Sequence, residues 1–186
     1  MKKRNLVIKR NLLLLLTAVT LTGCAGTSPE PVSVASFNPP IDCNATTILA
    51  ALPQDLPNPV YIPTEWQPAA GTDLEAILSN NGIACTYGVQ QAEAGAFVAW
   101  TKDSAGLFQS RVAGWERDGF VEATIAGVDV DRLYVISDAA MNAREIHSWN
   151  ANMLVNGNWI QLSASYIYER SEAQSLINAA ITSLQP

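Results

Sequence analysis

The sequence predicts an α+β domain: an antiparallel sheet packed on one face by helices, with a closing C-terminal helix. Three observations carry this reading. Ile83, Cys85, Tyr87 and Val89 alternate with small or polar residues, the period of a half-buried strand. Asn156-Gly157 separates two apolar runs, 146–155 and 158–167, and is the preferred pair for a two-residue type I′ hairpin. Ser171-Glu172-Ala173-Gln174 is a capping box, followed by Leu176, Ile177, Ala180, Ile181 and Leu184 on one helical stripe. In order the elements are helices, a strand pair, a helix, a strand meander and a closing helix, which sum to an α+β domain.

The remaining elements follow in order. The domain is expected over 41–186. Residues 42–52 read as a first helix, with Cys43, Ile48, Leu49 and Leu52 sharing a face and Pro53 ending it. Pro53, Pro57, Pro59, Pro63 and Pro68 mark 53–70 as an extended loop. Asp73–Ser79 reads as a short helix with Leu74, Ile77 and Leu78 inward, stopped at Asn80-Asn81-Gly82. Ala96–Thr101 is the expected partner of the first strand, across a turn near Gly95. Asp103 or Ser104 can cap a helix carrying Phe108, Val112 and Trp115, which Gly119 ends. Further strands are expected at 120–125 and 132–137.

Ahead of the domain, Lys2, Lys3, Arg4, Lys9 and Arg10 precede an apolar run from Leu12 to Leu21. A basic head, a short apolar core and small residues are the marks of a secretory signal. The run is too short to cross a hydrocarbon layer, which takes about 20 residues. Leu21-Thr22-Gly23-Cys24 resembles the lipobox of bacterial lipoproteins. That resemblance implies a signal peptide over 1–23 and a diacylglyceryl anchor on Cys24, which places the chain on the extracytoplasmic face of the cell membrane. Residues 24–40 then form the lipidated cysteine and a flexible Pro/Ser/Thr/Gly tether.

The charge is unevenly placed. The chain carries 11 basic and 17 acidic residues for a net of −6. Without residues 1–23, 6 basic residues face 17 acidic ones, a net of −11. Such a domain repels nucleic acid and anionic lipid at long range, which excludes a phosphate-backbone binder. With 48% apolar residues the chain can bury a core.

Once Cys24 carries lipid, Cys43 and Cys85 remain as an even pair in an oxidising compartment, and a disulfide is the default reading. The rival is a reactive or metal-binding pair, which lacks both CxxC spacing and a nearby histidine.

Candidate chemistry is sparse. His147 is the only histidine, and there is no GxSxG elbow, so no catalytic residue is assigned. Asp129 and Asp131, with Glu122 and Asp138, offer oxygens to calcium, yet the glycine and final glutamate of a calcium loop are missing; a solvated turn is the simpler reading. No metal and no cofactor are expected. Trp66, Trp149 and Trp159 are candidate ligand contacts, the last two near facing positions of the hairpin, while Trp100 and Trp115 fall at core positions. Core and cross-strand packing is the competing account of all five.

Taken together, the lipobox, the Pro/Ser tether, a cysteine opening the first helix, Cys85-Thr86-Tyr87, the Ala126-Gly127-Val128-Asp129 stretch, a Trp-containing hairpin and the closing helix resemble the small secreted actinobacterial lipoproteins of unknown function. Tyr87 stands where a tryptophan is expected in many of them. The resemblance implies an α+β fold and a surface location and supplies no catalytic residues. The expected function is a non-enzymatic, membrane-anchored binding domain for an envelope protein or wall glycan, with no nucleic acid. The alternatives are a solute-binding lipoprotein serving a transporter and a wall-acting enzyme.

Overall fold

The structure, a computed structural model, describes residues 36–90, 94–137, 148–167 and 170–186. Cys24, Asp138 and His147 lie outside the described residues. The helices are α1 (Ile48–Ala51), α2 (Asp73–Ser79), α3 (Leu107–Arg117) and α4 (Arg170–Thr182). The strands are β1 (Val60–Ile62), β2 (Ile83–Val89), β3 (Ala94–Lys102), β4 (Val121–Glu122), β5 (Arg132–Ser137), β6 (Ser148–Val155) and β7 (Asn158–Ser165). They form one antiparallel sheet in the order β1-β2-β3-β7-β6-β5-β4. The α+β class, the antiparallel sheet and the closing helix are as the sequence predicts.

The expected helix over 42–52 is broken into a 3₁₀ turn at Cys43–Ala45 and the single turn α1. Thr46 breaks it by adopting extended dihedrals, φ −89° and ψ 163°. Its hydroxyl donates to Tyr87 Oη at 2.7 Å, and Tyr87 Oη donates to the Cys43 carbonyl at 2.8 Å. A threonine side chain that finds partners off the helix competes with helical backbone bonding. The Cys43–Cys85 disulfide, with Cα atoms 5.6 Å apart, fastens the same turn to β2. Cys43, Ile48 and Leu52 are buried as expected, whereas Leu49 faces solvent.

The proline-rich segment contains an unexpected strand. Val60–Ile62 pairs with the edge of β2, with Pro59 and Pro63 just outside it. Proline is tolerated at an edge because nothing beyond needs its missing N–H. The strand expected over 120–125 stops at Glu122, because the chain turns inward there to bury Ile125. β3 begins at Ala94, so Gly95 lies within the strand and not in the turn. Gly95 pairs with Gly88, and a Cβ on either would sit 2.0–2.1 Å from a backbone carbonyl oxygen of the other strand. The Asn156-Gly157 turn has φ of 48° and 69°, as a type I′ turn requires.

One face of the sheet is sealed. Val98, Trp100, Met153, Ile160 and Leu162 meet Leu176, Ile177 and Ala180 of α4, with Ile48 of α1 alongside. The Trp100 indole N–H donates to the Ala180 carbonyl at 2.9 Å. α2 and α3 pack in addition on the opposite face, through Ile77, Phe108, Val112 and Trp115.

Residues 36–40, assigned by composition to the tether, are bonded to the domain. Asn38 and Gln185 exchange backbone hydrogen bonds of 2.7 and 2.9 Å. The Phe37 carbonyl accepts from Lys102 Nζ and from Asn158 Nδ2, and Phe37 packs on the core.

Candidate functional site

The second face of the sheet is only partly covered. Under α3, Phe108, Trp115, Tyr134 and Trp159 form a ring cluster with centroids 4.9–6.4 Å apart. Beyond it, toward β2 and β3, the helices leave a trough of about 1000 Å³. Its floor comes from alternate residues of three strands: Thr86, Phe97, Gln161 and Ser163. Trp66 forms one side. Its ring stands edge-on to Phe97 at 5.1 Å, and its N–H is committed to the Ala84 carbonyl at 2.9 Å.

Asp73 fixes the helical wall. Its Oδ1 accepts from Arg111 Nε at 2.7 Å and its Oδ2 from Trp115 Nε1 at 2.6 Å. Arg111 Nη2 also donates to the Gly71 carbonyl at 2.8 Å. Thr72 caps α2 by accepting from the Glu75 N–H, so the residue that ties α2 to α3 sits at a capped first turn. Asp103 holds the start of α3, accepting from the Phe108 N–H at 2.8 Å across Ala105 and Gly106, both at positive φ. The wall is thus held by charge-assisted bonds in a partly buried site, where they are stronger than on an open surface.

One atom of the floor is unsatisfied. Gln161 Oε1 is enclosed and has no hydrogen-bond partner. Such an atom carries the desolvation cost without the bond that would offset it.

The tryptophans separate clearly. Trp66 is half-buried and lines the trough. Trp159 is wholly buried and donates to Asn152 Oδ1 at 2.9 Å, so it supports the floor and offers no surface. Trp149 lies at the border of the sealed core. The two do not face each other: Trp149 pairs with Ala164 and Trp159 with Leu154, which puts them on opposite faces. Trp100 and Trp115 occupy the core positions expected of them.

The acidic residues near 129 do not converge. Glu122 is paired with Arg132 at 2.8 Å, and the Arg132 bond holds its carboxyl below the usual range. Asp131 accepts from the Asn156 N–H at 2.9 Å, and Asp129 is exposed. Among the described residues, no group of three or more His, Cys, Asp or Glu is placed to hold a metal.

The trough itself was not read from the sequence. Its residues run from 66 to 163, and only the fold assembles them. A signal was present in β7, where Gln161 and Ser163 alternate with Ile160, Leu162 and Ala164. Polar residues at every second position of a central strand mark a face the helices leave open. No protein-family model and no curated protein matches the chain.

Proposed function

We propose that the chain is a cell-envelope lipoprotein, anchored through lipid on Cys24, that binds a ligand non-enzymatically in the trough between α2, α3 and the sheet. The observation that carries this reading is the trough: a concavity of about 1000 Å³ with a braced wall and a floor of mixed polar and aromatic side chains. That is the make-up of a ligand site, at the upper end of the usual range of about 300–1,000 Å³. Its position agrees with an anchored role. Phe37 is bonded to Lys102, and Phe97 lies five residues away along β3, roughly 17 Å off. The lipobox resemblance and the resemblance to small secreted actinobacterial lipoproteins supply the address.

The test is site-specific photo-crosslinking in living cells. A photoreactive side chain replaces Ser110, exposed on the trough wall, or Asp55, exposed beside α1. An adduct at Ser110 that is absent at Asp55, and that disappears with Cys24→Ala as the protein leaves the membrane fraction, is the expected result. Equal adducts at both positions, or none at Ser110, would remove the trough as the binding site. A Cys24→Ala protein that stays in the membrane fraction would remove the lipid anchor.

A further inference from the structure

We infer that the trough takes a neutral oligosaccharide, an assignment that rests on the reading of the trough as a ligand site. The shape speaks first. The main depression shares Thr86, Phe97 and Ser163 with a second one of about 360 Å³ that continues between β2, β3 and β7. The two depressions adjoin, which suits several linked units better than one compact solute.

The chemistry of the lining follows the same pattern. Phe97 and Trp66 present apolar ring surface, and the Trp66 N–H is already used. Thr86 and Ser163 place hydroxyls beside those rings. A pyranose ring has a C–H face that packs on an aromatic ring and hydroxyls around its edge that bond to short polar side chains. Gln161 is the residue such a ligand would complete by drawing its side chain toward the trough, because Oε1 is enclosed where it stands. Its enclosed amide atom has no partner in the free protein. A ligand hydroxyl both donates and accepts, so it satisfies that amide whichever way it is turned. An acyl chain laid in the same place would leave Gln161 and Ser163 without a bond from the ligand, at a cost.

The charges select against ions. Asp73 is engaged by Arg111 and Trp115. Arg117 and Asp118 at the rim are one of each sign. The net of −11 over the residues after the signal segment repels acidic polymers.

Titration of the labelled full domain with neutral hexose oligosaccharides of increasing length, followed by NMR, tests this. Acidic oligosaccharides, short peptides and a short-chain alkyl detergent serve as rival probes. Saturable shifts at Thr86, Phe97 and Gln161 with neutral saccharides, tightening with length, are expected. Gln161→Leu, nearly isosteric, should weaken binding roughly tenfold while leaving the unfolding temperature equal or higher, since an unsatisfied buried atom is gone. A residue with a purely structural role would lower both. Trp66→Phe keeps an aromatic ring and should weaken binding less than Trp66→Ala. Peptide or detergent shifts at the same residues, without saccharide shifts, would overturn the saccharide assignment and leave the trough standing. Silence from every probe would overturn it too. If the Ser110 cross-link is absent as well, the trough reading falls with it.

Discussion

The two faces of the sheet are made by the same strands and have opposite characters. On β7, Ile160, Leu162 and Ala164 point to the sealed face, while Gln161 and Ser163 point to the trough. On β3, Val98 and Trp100 go one way and Phe97 the other. The sealed face is apolar side chain against apolar helix, and the indole N–H of Trp100 is capped by a helix carbonyl. The open face buries its aromatic cluster near α3 and then turns amide- and hydroxyl-bearing side chains to the trough. The difference teaches where stability resides and where it can be spared: one face can carry polar, imperfectly satisfied groups because the other supplies the burial.

That division can be broken in graded steps. Replacing Cys43 and Cys85 together by alanine acts on the sealed side, by releasing a 42-residue separation. On the chain-entropy account it should cost about 4 kcal/mol in urea unfolding. Leu176→Ala, deep in the same core, should cost about 3 kcal/mol in the same measurement and leave ligand contacts intact.

A pH titration sharpens the comparison further. Burial is the main cause that pushes the Tyr87 hydroxyl from 10.0 up to about 12, against the opposing bond from Thr46. A raised folded value means the stabilisation is complete below pH 10 and is lost as pH rises toward 12. The loss should reach roughly 2–3 kcal/mol, since each unit is about 1.4 kcal/mol. Tyr87→Phe should flatten that part of the stability curve, and an unchanged slope would contradict it. Ser163→Ala, on the trough floor, should change stability by less than about 0.5 kcal/mol and register only in binding.

Much of the fold was legible because it is local. The Asn156-Gly157 turn, the alternation in β2 and the stripe of α4 each declare themselves within a dozen residues. What escaped depends on distant partners. The helix expected over 42–52 breaks because Thr46 and Cys43 are claimed by Tyr87 and Cys85, about forty residues on. β1 hides between prolines because only an edge strand tolerates them there. Phe37 and Asn38 look like tether in composition, and their docking depends on Lys102, Asn158 and Gln185. Of the candidate ligand contacts, Trp66 lines the trough, while Gln161, Thr86 and Ser163 carry no signal stronger than their alternation.

The docking of Phe37 and Asn38 also sets how the domain would carry mechanical load. A pull arriving from the N-terminal side of Ser36 meets the bonds that Lys102 and Asn158 make to the Phe37 carbonyl, then the two-bond bridge between Asn38 and Gln185, and these can open one after another like a zip. Peeling then runs to Cys43 and stops at a covalent link into β2, the second strand from one edge of the sheet. The domain should therefore lengthen by about 20 Å, at roughly 3.4 Å per residue, before the load passes to β2 through the disulfide. Single-molecule pulling would record that as a short, low-force step that grows when the disulfide is reduced.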